Sequence, residues 1–364
     1  MKMCQALAQA GHEVTLVGRV GKERMKDLHG YYAVDPCFAV TACPASERMG
    51  FAVGVLHYMA ASVRRVWAMP RPDLLYSRSY ECLVALSPFR IPFVLEAHGS
   101  PSTRFMRHAI GWLLHRKGFV RLVVITHALR EEFLRLYPGL THDRITVAPD
   151  GADPPPAGDG CGACPTFQHR EGAVQVGYVG SLGPGKGLEV IVPLAREVEE
   201  ADFHVVGGSE ASRREWAERA RGVRNLHFHG YVPPFLTNGW RRAMDILTVP
   251  NQRSVLYRRA SGRHGDIGSW TSPLKVFEAM AAGKPIVASD LPVLREVLED
   301  GDNAMLVPAD SVDAWAQAVR SLANDPGERE RLGGSARRQL EARYTWQVRA
   351  GRILASLPSG FLRQ

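Results

Sequence analysis

The sequence lacks the features of membrane-spanning and disulfide-stabilised proteins. The longest apolar run in its 364 residues, 50–63, is about 14 residues long and contains His57, whereas a spanning helix needs roughly 20 apolar residues. Six cysteines in a chain of this length do not indicate a disulfide framework. The N-terminus has no secretory pattern of basic, apolar and small residues. These absences predict a cytoplasmic protein.

Nucleic-acid and metal-binding signatures are also missing. The net charge of +8 with neutral histidines suits anionic partners such as nucleotide diphosphates, acidic lipids or nucleic acid. No zinc-finger spacing, aromatic RNA-binding motif or basic tail is present, so we do not expect a nucleic-acid partner. Cys161 and Cys164 form a single C-x-x-C without a second ligand pair, and a simple loop is favoured there over zinc or redox chemistry.

Two halves of the chain each alternate short apolar strands with helices, which predicts an α/β protein. The halves are separated by residues 154–172, a stretch rich in Pro, Gly and Cys without periodicity. Such a pattern indicates two doubly wound, Rossmann-like domains that face each other across a cleft, over residues 1–153 and 173–344. A helix at the very start normally follows a strand and a ligand-facing loop. Either Met1 is therefore a late start, or the first domain lacks its first strand.

Polar side chains cluster where predicted first-domain strands end. The strand over 73–78 ends in Arg78, and the strand over 91–99 delivers Glu96 and His98. Ligands of open α/β sheets bind at the carboxyl ends of the strands. A strand-end histidine bonded to a carbonyl remains the alternative for His98.

Residues 271–301 read as helix, turn, strand, loop and helix. Ser272 is the predicted N-cap, with Pro273 in the first turn, and Gly283 is a good residue to end the helix. Lys275 and Glu278 are three apart and share a face. They suit a phosphate and sugar hydroxyls near a helix N-terminus, but a solvated ion pair is equally consistent with the sequence.

A glycine-rich loop, residues 180–187, follows a predicted strand and opens a helix. Glycines allow close backbone approach to an anion, helix N-termini offer free N–H groups, and Lys186 adds a charge. The loop matches neither a Walker A motif nor a dinucleotide fingerprint. A plain turn between strand and helix is the alternative.

The ordered set YVGSLGPGKGLE, FHVVGG, NLHFHGYV, MDILTVP and SPLKVFEAMAAGKPIVASD resembles the second domain of the family 4 retaining glycosyltransferases. The resemblance is strong from about residue 172 to 350 and weaker but collinear over 1–153. It implies the two-domain GT-B fold, a nucleotide-diphosphate sugar donor, and a tail helix within 345–364 that packs back on the first domain.

The resemblance also implies site residues. Catalytic roles fall to His98, near the transferred sugar, and Lys186, on the donor diphosphate. Glu278 holds the donor ribose, and acceptor-side positions are Arg78, Glu96 and His98. The further donor-binding positions are Gly180, Ser181, Gly230, Tyr231, Val232, Thr271, Ser272, Leu274 and Lys275.

Three departures from the family pattern stand out, one being that the family's first strand and its glycine-rich loop are missing ahead of Met1. Trp270 occupies the position of the first glutamate of the Glu-x7-Glu motif, so backbone at residues 271–274 is expected to make that contact. Ser181 stands in place of an arginine beside the phosphate loop. The missing arginine's positive charge is expected to come from Lys275 or from the basic loop Asn251–Trp270, where the candidates are Arg258, Arg259 and Arg263. The alternative is that the basic side chains of this loop are simply solvated.

The implied reaction is transfer with retention, in which cations stabilise the leaving diphosphate. No cofactor or metal is expected, since no Asp-x-Asp occurs. Residues 104–121 mix basic and apolar side chains, which suits either an anionic membrane surface and lipid-linked acceptors or a helix with one face in the core. The alternative functions are a non-catalytic nucleotide-sugar-binding protein and a nucleotide-sugar epimerase.

Overall fold

A computed structural model describes residues 1–19, 27–43, 51–154, 165–167, 170–258 and 264–358. The chain divides into two compact units. The first contains Met1–Pro149 and Trp346–Gln364, and the second contains Asp150–Arg258 and His264–Thr345. None of the described helices has the length and apolar character that crossing a bilayer requires.

The described helices and strands alternate through most of the chain. The helices are α1 (Lys2–Gln9), α2 (Leu28–Tyr31), α3 (Phe51–Trp67), α4 (Tyr80–Leu86), α5 (Arg104–Leu114), α6 (His127–Leu136), α7 (Leu188–Glu197), α8 (Glu210–Arg219), α9 (Thr237–Arg242), α10 (Leu274–Ala282), α11 (Val312–Asn324), α12 (Pro326–Arg343) and α13 (Trp346–Ala355). The strands are β1 (Thr15–Arg19), β2 (Ala39–Cys43), β3 (Leu75–Ser77), β4 (Phe93–Ala97), β5 (Phe119–Val124), β6 (Ile145–Val147), β7 (Gln175–Val179), β8 (Asp202–Val206), β9 (Leu226–Gly230), β10 (Ile246–Val249), β11 (Leu256–Arg258), β12 (His264–Asp266), β13 (Ile286–Ser289) and β14 (Met305–Val307).

The first unit contains a four-stranded parallel sheet in the order β3-β4-β5-β6. Every residue of β4 is buried, as expected for a strand covered on both faces. Several of its helices begin at side chains that cap the first turn, such as Thr103 before α5 and Thr126 before α6. The tail helix α13 belongs to this unit, and Ile353 and Leu357 join its core beside Val94 and Val123.

The remaining strands of the first unit, β1 and β2, form a separate parallel pair. Within the described ranges no strand joins this pair to the four-stranded sheet, so β1 and β3 each keep one unpaired edge. The chain reaches β1 directly from α1.

The second unit is built on a six-stranded parallel sheet in the order β14-β13-β10-β7-β8-β9. Its largest fully buried side chains include Trp315, Tyr178 and Phe277. Since β7, β8, β9 and β10 run parallel, the loops after them lie at one edge of the sheet. The predicted α/β fold with two Rossmann-like domains is therefore confirmed.

Three local features differ from the sequence-based expectation. The cap of α10 is Pro273 and makes no side-chain cap bond, whereas the Ser272 hydroxyl accepts a hydrogen bond from the Asp150 N–H at 3.3 Å. The prediction of Ser272 as N-cap is thus wrong, because a contact distant in sequence engages that side chain. Residues 292–297 form turns rather than a helix, and the loop Asn251–Trp270 contains the unpredicted antiparallel pair β11 and β12.

Candidate functional site

The glycine-rich loop of the second unit joins β7 to α7 and packs tightly against the following loops. Gly185 and Gly187 have φ angles of +76° and +113°, which side chains rarely adopt. A Cβ at Gly185 would lie 1.9 Å from the Ser254 carbonyl oxygen. Glycine is therefore needed at both positions, because other residues rarely adopt these φ angles and because a side chain would clash with a neighbouring loop.

Glu189, in the first turn of α7, fixes this loop. Its carboxylate accepts hydrogen bonds from the N–H groups of Gly185 at 2.8 Å and Gly187 at 3.1 Å. Those two donors are thus used internally rather than offered to an anion. In the described part of the chain, the N–H groups of residues 181–183 have no acceptor, so they are the loop's available donors.

Lys186 is half-buried on this loop, and its ammonium group has no counter-ion among the residues that the structure describes. Burial lowers the pKa of Lys186, since desolvation disfavours the charged form. A partly desolvated cation without a partner is costly, and an anionic ligand would relieve that cost.

Lys275, on α10, converges on the same loop. Its Nζ donates a hydrogen bond to the Lys186 carbonyl oxygen at 3.1 Å and lies 4.7 Å from the ring centroid of the buried Tyr178. Burial and then the neighbouring charge of Lys186 hold the pKa of Lys275 well below its usual value, against an opposing effect of Glu189. Two lysines whose charges repel one another thus meet beside free N–H donors.

Glu278 is paired with a residue that the sequence did not single out. Its Oε2 accepts a hydrogen bond from Arg241 Nη2 at 2.5 Å. Arg241 on α9 is 4% exposed, and its other nitrogen donates to Thr237 Oγ1 at 2.9 Å. A solvated Lys275–Glu278 pair is therefore not formed. Nothing in the local sequence distinguishes Arg241 from Arg242 as the partner of Glu278. Only the packing of α9 against α10 places Arg241 beside that carboxylate.

The loops after β7, β8 and β9 are joined directly through their backbones. The Gly180 N–H donates to the Val206 carbonyl at 2.9 Å, and the Gly207 N–H donates to the Gly230 carbonyl at 2.7 Å. Gly207 has φ +117°, and a Cβ there would lie 2.2 Å from the Gly180 oxygen. These contacts bring Gly180, Gly207 and Gly230 to one edge of the sheet.

The other predicted donor positions surround this edge. Tyr231 follows β9 and is 61% exposed, and Val232 beside it is half-buried. Thr271 is buried, and Leu274, the first residue of α10, is 46% exposed. Ser181 is exposed on the glycine loop. Arg259, Arg263 and the side chain of Arg258 lie outside the described residues, so charge compensation by them stays a prediction.

The predicted acceptor-side residues belong to the first unit. Arg78, just after β3, is exposed. Glu96, on the adjacent strand β4, is 5% exposed, and its carboxylate contacts the Tyr76 hydroxyl, His98 Nε2 and Arg349. The His98 side chain is 23% exposed and bonds to this carboxylate rather than to a carbonyl. Glu96 is therefore paired with protein groups, and the acceptor-side roles of these residues stay predictions.

Two family models match the chain in succession. The model for Glycosyltransferase Family 4 matches residues 1–155, and the model for Glycosyl transferases group 1 matches residues 173–325.

Characterised relatives are glycosyltransferases and synthases of sugar polymers or sugar phosphates. A D-inositol 3-phosphate glycosyltransferase of Kribbella flavida is 28% identical, covering 65% of this chain and 55% of the relative. A phosphatidyl-myo-inositol mannosyltransferase of Mycolicibacterium smegmatis is 31% identical over 47% of this chain and 41% of the relative. The chain thus spans about half the length of these relatives. An alpha-maltose-1-phosphate synthase of Mycobacterium tuberculosis is 26% identical over 94% of this chain and 93% of the relative.

Solved structures share the fold at low sequence identity. Sucrose-phosphate synthase from Thermosynechococcus elongatus superposes with a TM-score of 0.71 at 16% identity, covering 97% of this chain and 90% of that one. Anabaena HepE in complex with UDP-glucose gives a TM-score of 0.69 at 17% identity, covering 98% and 95%. Because the two family models together match both halves of the sequence, the chain belongs to the family 4 glycosyltransferases.

Proposed function

We propose that the protein transfers a sugar from a nucleotide-diphosphate donor to an acceptor hydroxyl with retention of anomeric configuration. The observation that carries this proposal is the meeting of Lys186 and Lys275 at the glycine loop of the second unit. Two cations with depressed pKa values and free backbone N–H groups suit a diphosphate, because each gains a counter-charge when the anion binds. The reaction class supported is synthesis of a glycoconjugate, such as a polysaccharide, lipopolysaccharide or glycolipid.

The chemistry of the leaving group fits this arrangement. As the bond from the sugar to the diphosphate breaks, negative charge grows on the diphosphate, and Lys186, Lys275 and the N–H groups of residues 181–183 would stabilise it. Glu278, held by Arg241 through one oxygen, keeps its other oxygen to accept a bond from a ribose hydroxyl. Metal-independence and the lack of any cofactor besides the donor are parts of the proposal.

Transfer and its stereochemistry test the proposal together. The purified protein is incubated with a panel of UDP-, GDP- and ADP-sugars and simple hydroxyl acceptors, with and without EDTA. We expect one donor class to be consumed, and early NMR spectra to show the donor's anomeric configuration in the product. Inverted product would contradict the retaining mechanism. Nucleotide-sugar binding without turnover would favour the non-catalytic alternative, and donor isomerisation would favour the epimerase.

Lys275 is expected to take up protons when a nucleotide diphosphate binds. Because its pKa is depressed, the ligand-free ammonium loses its proton at a lower pH than an ordinary lysine does. The anion's charge raises this pKa, so binding and protonation favour each other. Isothermal titration calorimetry in buffers of different ionisation enthalpy measures this uptake. Lys275→Met should reduce it, whereas Arg214→Ala, which removes an exposed cation of the same unit, should not. Unchanged uptake in Lys275→Met would assign the protons to another group.

A lipid-linked acceptor at an anionic membrane face is a further part of the proposal, together with the cytoplasmic location. Helix α5 buries Ile110, Leu113 and Leu114 in the core. Its outer face leaves Phe105 76% and Trp112 45% exposed among basic side chains. The sequence was consistent with a helix packed in the core or with one that contacts a membrane. Helix α5 has an apolar face in the core and an exposed face that mixes basic and aromatic side chains.

Vesicle binding tests this surface. We expect the protein to co-sediment with vesicles containing phosphatidylserine more than with purely zwitterionic ones, and high salt to weaken binding. The variant Phe105→Ser/Trp112→Ser should lose most of this binding. Phe235→Ser removes an exposed aromatic ring of the second unit and should bind as the unchanged protein does. Equal binding by both variants would show that α5 is not the contact.

A further inference from the structure

A buried carboxylate in the first unit joins the tail helix to the candidate catalytic histidine. Glu96 is the last residue but one of β4 and has only 5% of its surface exposed, in a strand that is otherwise wholly apolar. An ionised carboxylate in such a place is strongly unfavourable unless it is paired and hydrogen-bonded. The groups facing it therefore determine its protonation state.

Those groups come from three different elements. The Tyr76 hydroxyl on β3 donates to Oε2, His98 Nε2 bonds to Oε1, and Arg349 Nη2 on α13 lies 3.2 Å from Oε2. Burial by itself raises the pKa of Glu96, but the hydrogen bond from His98 and the charge of Arg349 outweigh it and lower the pKa to about 2. Glu96 is thus an anion at neutral pH.

Arg349 is held in place by the body of the first unit. It is 2% exposed, and its Nε donates a hydrogen bond to the Pro149 carbonyl at 3.0 Å. Ile353 and Leu357, one and two turns further along, pack in the core with Val94. The counter-charge of Glu96 is therefore supplied by a helix some 250 residues later in the chain, in a fixed position.

The charge of Glu96 sets which ring nitrogen of His98 carries hydrogen. An ionised carboxylate can only accept, so the neutral imidazole must hold its proton on Nε2 and leave the lone pair on Nδ1. Among the described residues Nδ1 has no hydrogen-bonding partner, and the ring is 23% exposed. In the neutral ring the exposed nitrogen of His98 is thus an acceptor.

We propose that Glu96 and Arg349 are positioning residues that hold His98 with Nδ1 free to accept a hydrogen bond from a hydroxyl of the transferred sugar. This inference rests on the proposed function, in which His98 lies at that sugar. Glu96 and Arg349 do not touch the substrate. Arg349 keeps Glu96 ionised, Glu96 orients the ring and selects its tautomer, and the tail helix thereby becomes part of the first unit's site.

The tautomer is measured on the donor-free protein by nitrogen-15 NMR of the histidine rings, with His98 assigned by its loss in His98→Asn. We expect the Nε2–H form in the unchanged protein. Glu96→Gln and Arg349→Met should each produce a mixture or the opposite tautomer, and Arg349→Lys should restore much of the original signal. Tyr76→Phe removes a hydrogen bond from the same carboxylate without altering charge and should leave the tautomer unchanged.

Turnover supplies the second arm of the test. In Arg349→Met we expect kcat to fall about 10- to 100-fold with a smaller change in KM, by analogy with the groups that orient metal-bound histidines. Recovery in Arg349→Lys distinguishes positioning from lost folding, which thermal unfolding checks separately. An Nε2–H tautomer that persists in both Glu96→Gln and Arg349→Met overturns the inference, whatever the turnover. A protein that shows the expected tautomer changes but no transfer would refute the proposed function alone.

Discussion

Replacing Lys186 with alanine is expected to lower kcat/KM for transfer by about 10³-fold, the upper range for loss of one charge-stabilising donor. Lys186 is half-buried and has no counter-ion in the described part of the chain, so its charge is weakly screened and available to the leaving diphosphate. Because charge on that group grows as the sugar departs, most of the loss should fall on kcat rather than on KM.

The control for this experiment is Arg214→Ala. It removes one positive charge from the same unit, but Arg214 is 75% exposed on α8 and is paired with Glu210. Its kcat/KM should stay within about twofold of the unchanged protein, since exposed charges interact weakly through water. Similar losses in both variants would indicate a general effect of net charge and would remove Lys186 from the proposed donor site.

Gly187→Ala should unfold the donor loop and destabilise the second unit. The residue has φ +113°, and a new Cβ would lie 2.2 Å from Pro250 Cγ and 2.3 Å from the Pro250 carbonyl oxygen. Neither backbone nor a proline ring can move aside easily. Positive-φ strain and the clash together should cost about 2–4 kcal/mol in free energy of unfolding. Nucleotide binding should be lost even where the protein still folds, because Lys186 is the adjacent residue.

Substitutions at two other glycines distinguish the positive-φ strain from the steric clash. Gly222 also has a positive φ, of +85°, but a Cβ there would meet nothing within 4 Å. Gly222→Ala should therefore cost only about 1 kcal/mol, the strain without the clash. Gly183 lies in the donor loop without positive φ and with room for a methyl group, so Gly183→Ala should change stability little. Chemical denaturation and nucleotide titration of the three variants measure both effects; equal costs for Gly187→Ala and Gly222→Ala would disprove the clash.

Sequence patterns predicted the local elements well because those elements depend on nearby residues. The strand of the VLEAHG segment is β4, and the helix of SPLKVFEAMAA is α10. Gly283 caps its C-terminus in the left-handed conformation, as expected. The N-cap was misassigned because Ser272 contacts Asp150, which is distant in sequence. A single sequence carries no record of such a contact.

The sequence did not predict the partners of the site residues, because those partners are also distant in sequence. Lys275 and Glu278 share a helix, yet one contacts the Lys186 loop and the other contacts Arg241, which lies on α9. Arg349 approaches Glu96 only because α13 folds into the first unit. Residue type and spacing indicated which side chains could act, whereas their ionisation and orientation depend on elements that only tertiary packing brings together.

The membership of α13 in the first unit has a consequence for biosynthesis. A ribosome releases the second unit's sheet and helices before it releases Trp346–Ala355. Domains generally fold as units while the chain emerges, so the second unit can fold from a contiguous stretch, but the first must wait for its last helix. Until then Glu96 has no arginine beside it and the core around Val94 is incomplete. The unit synthesised first is therefore the one that matures last, and the interval is when it is most open to chaperones and proteases.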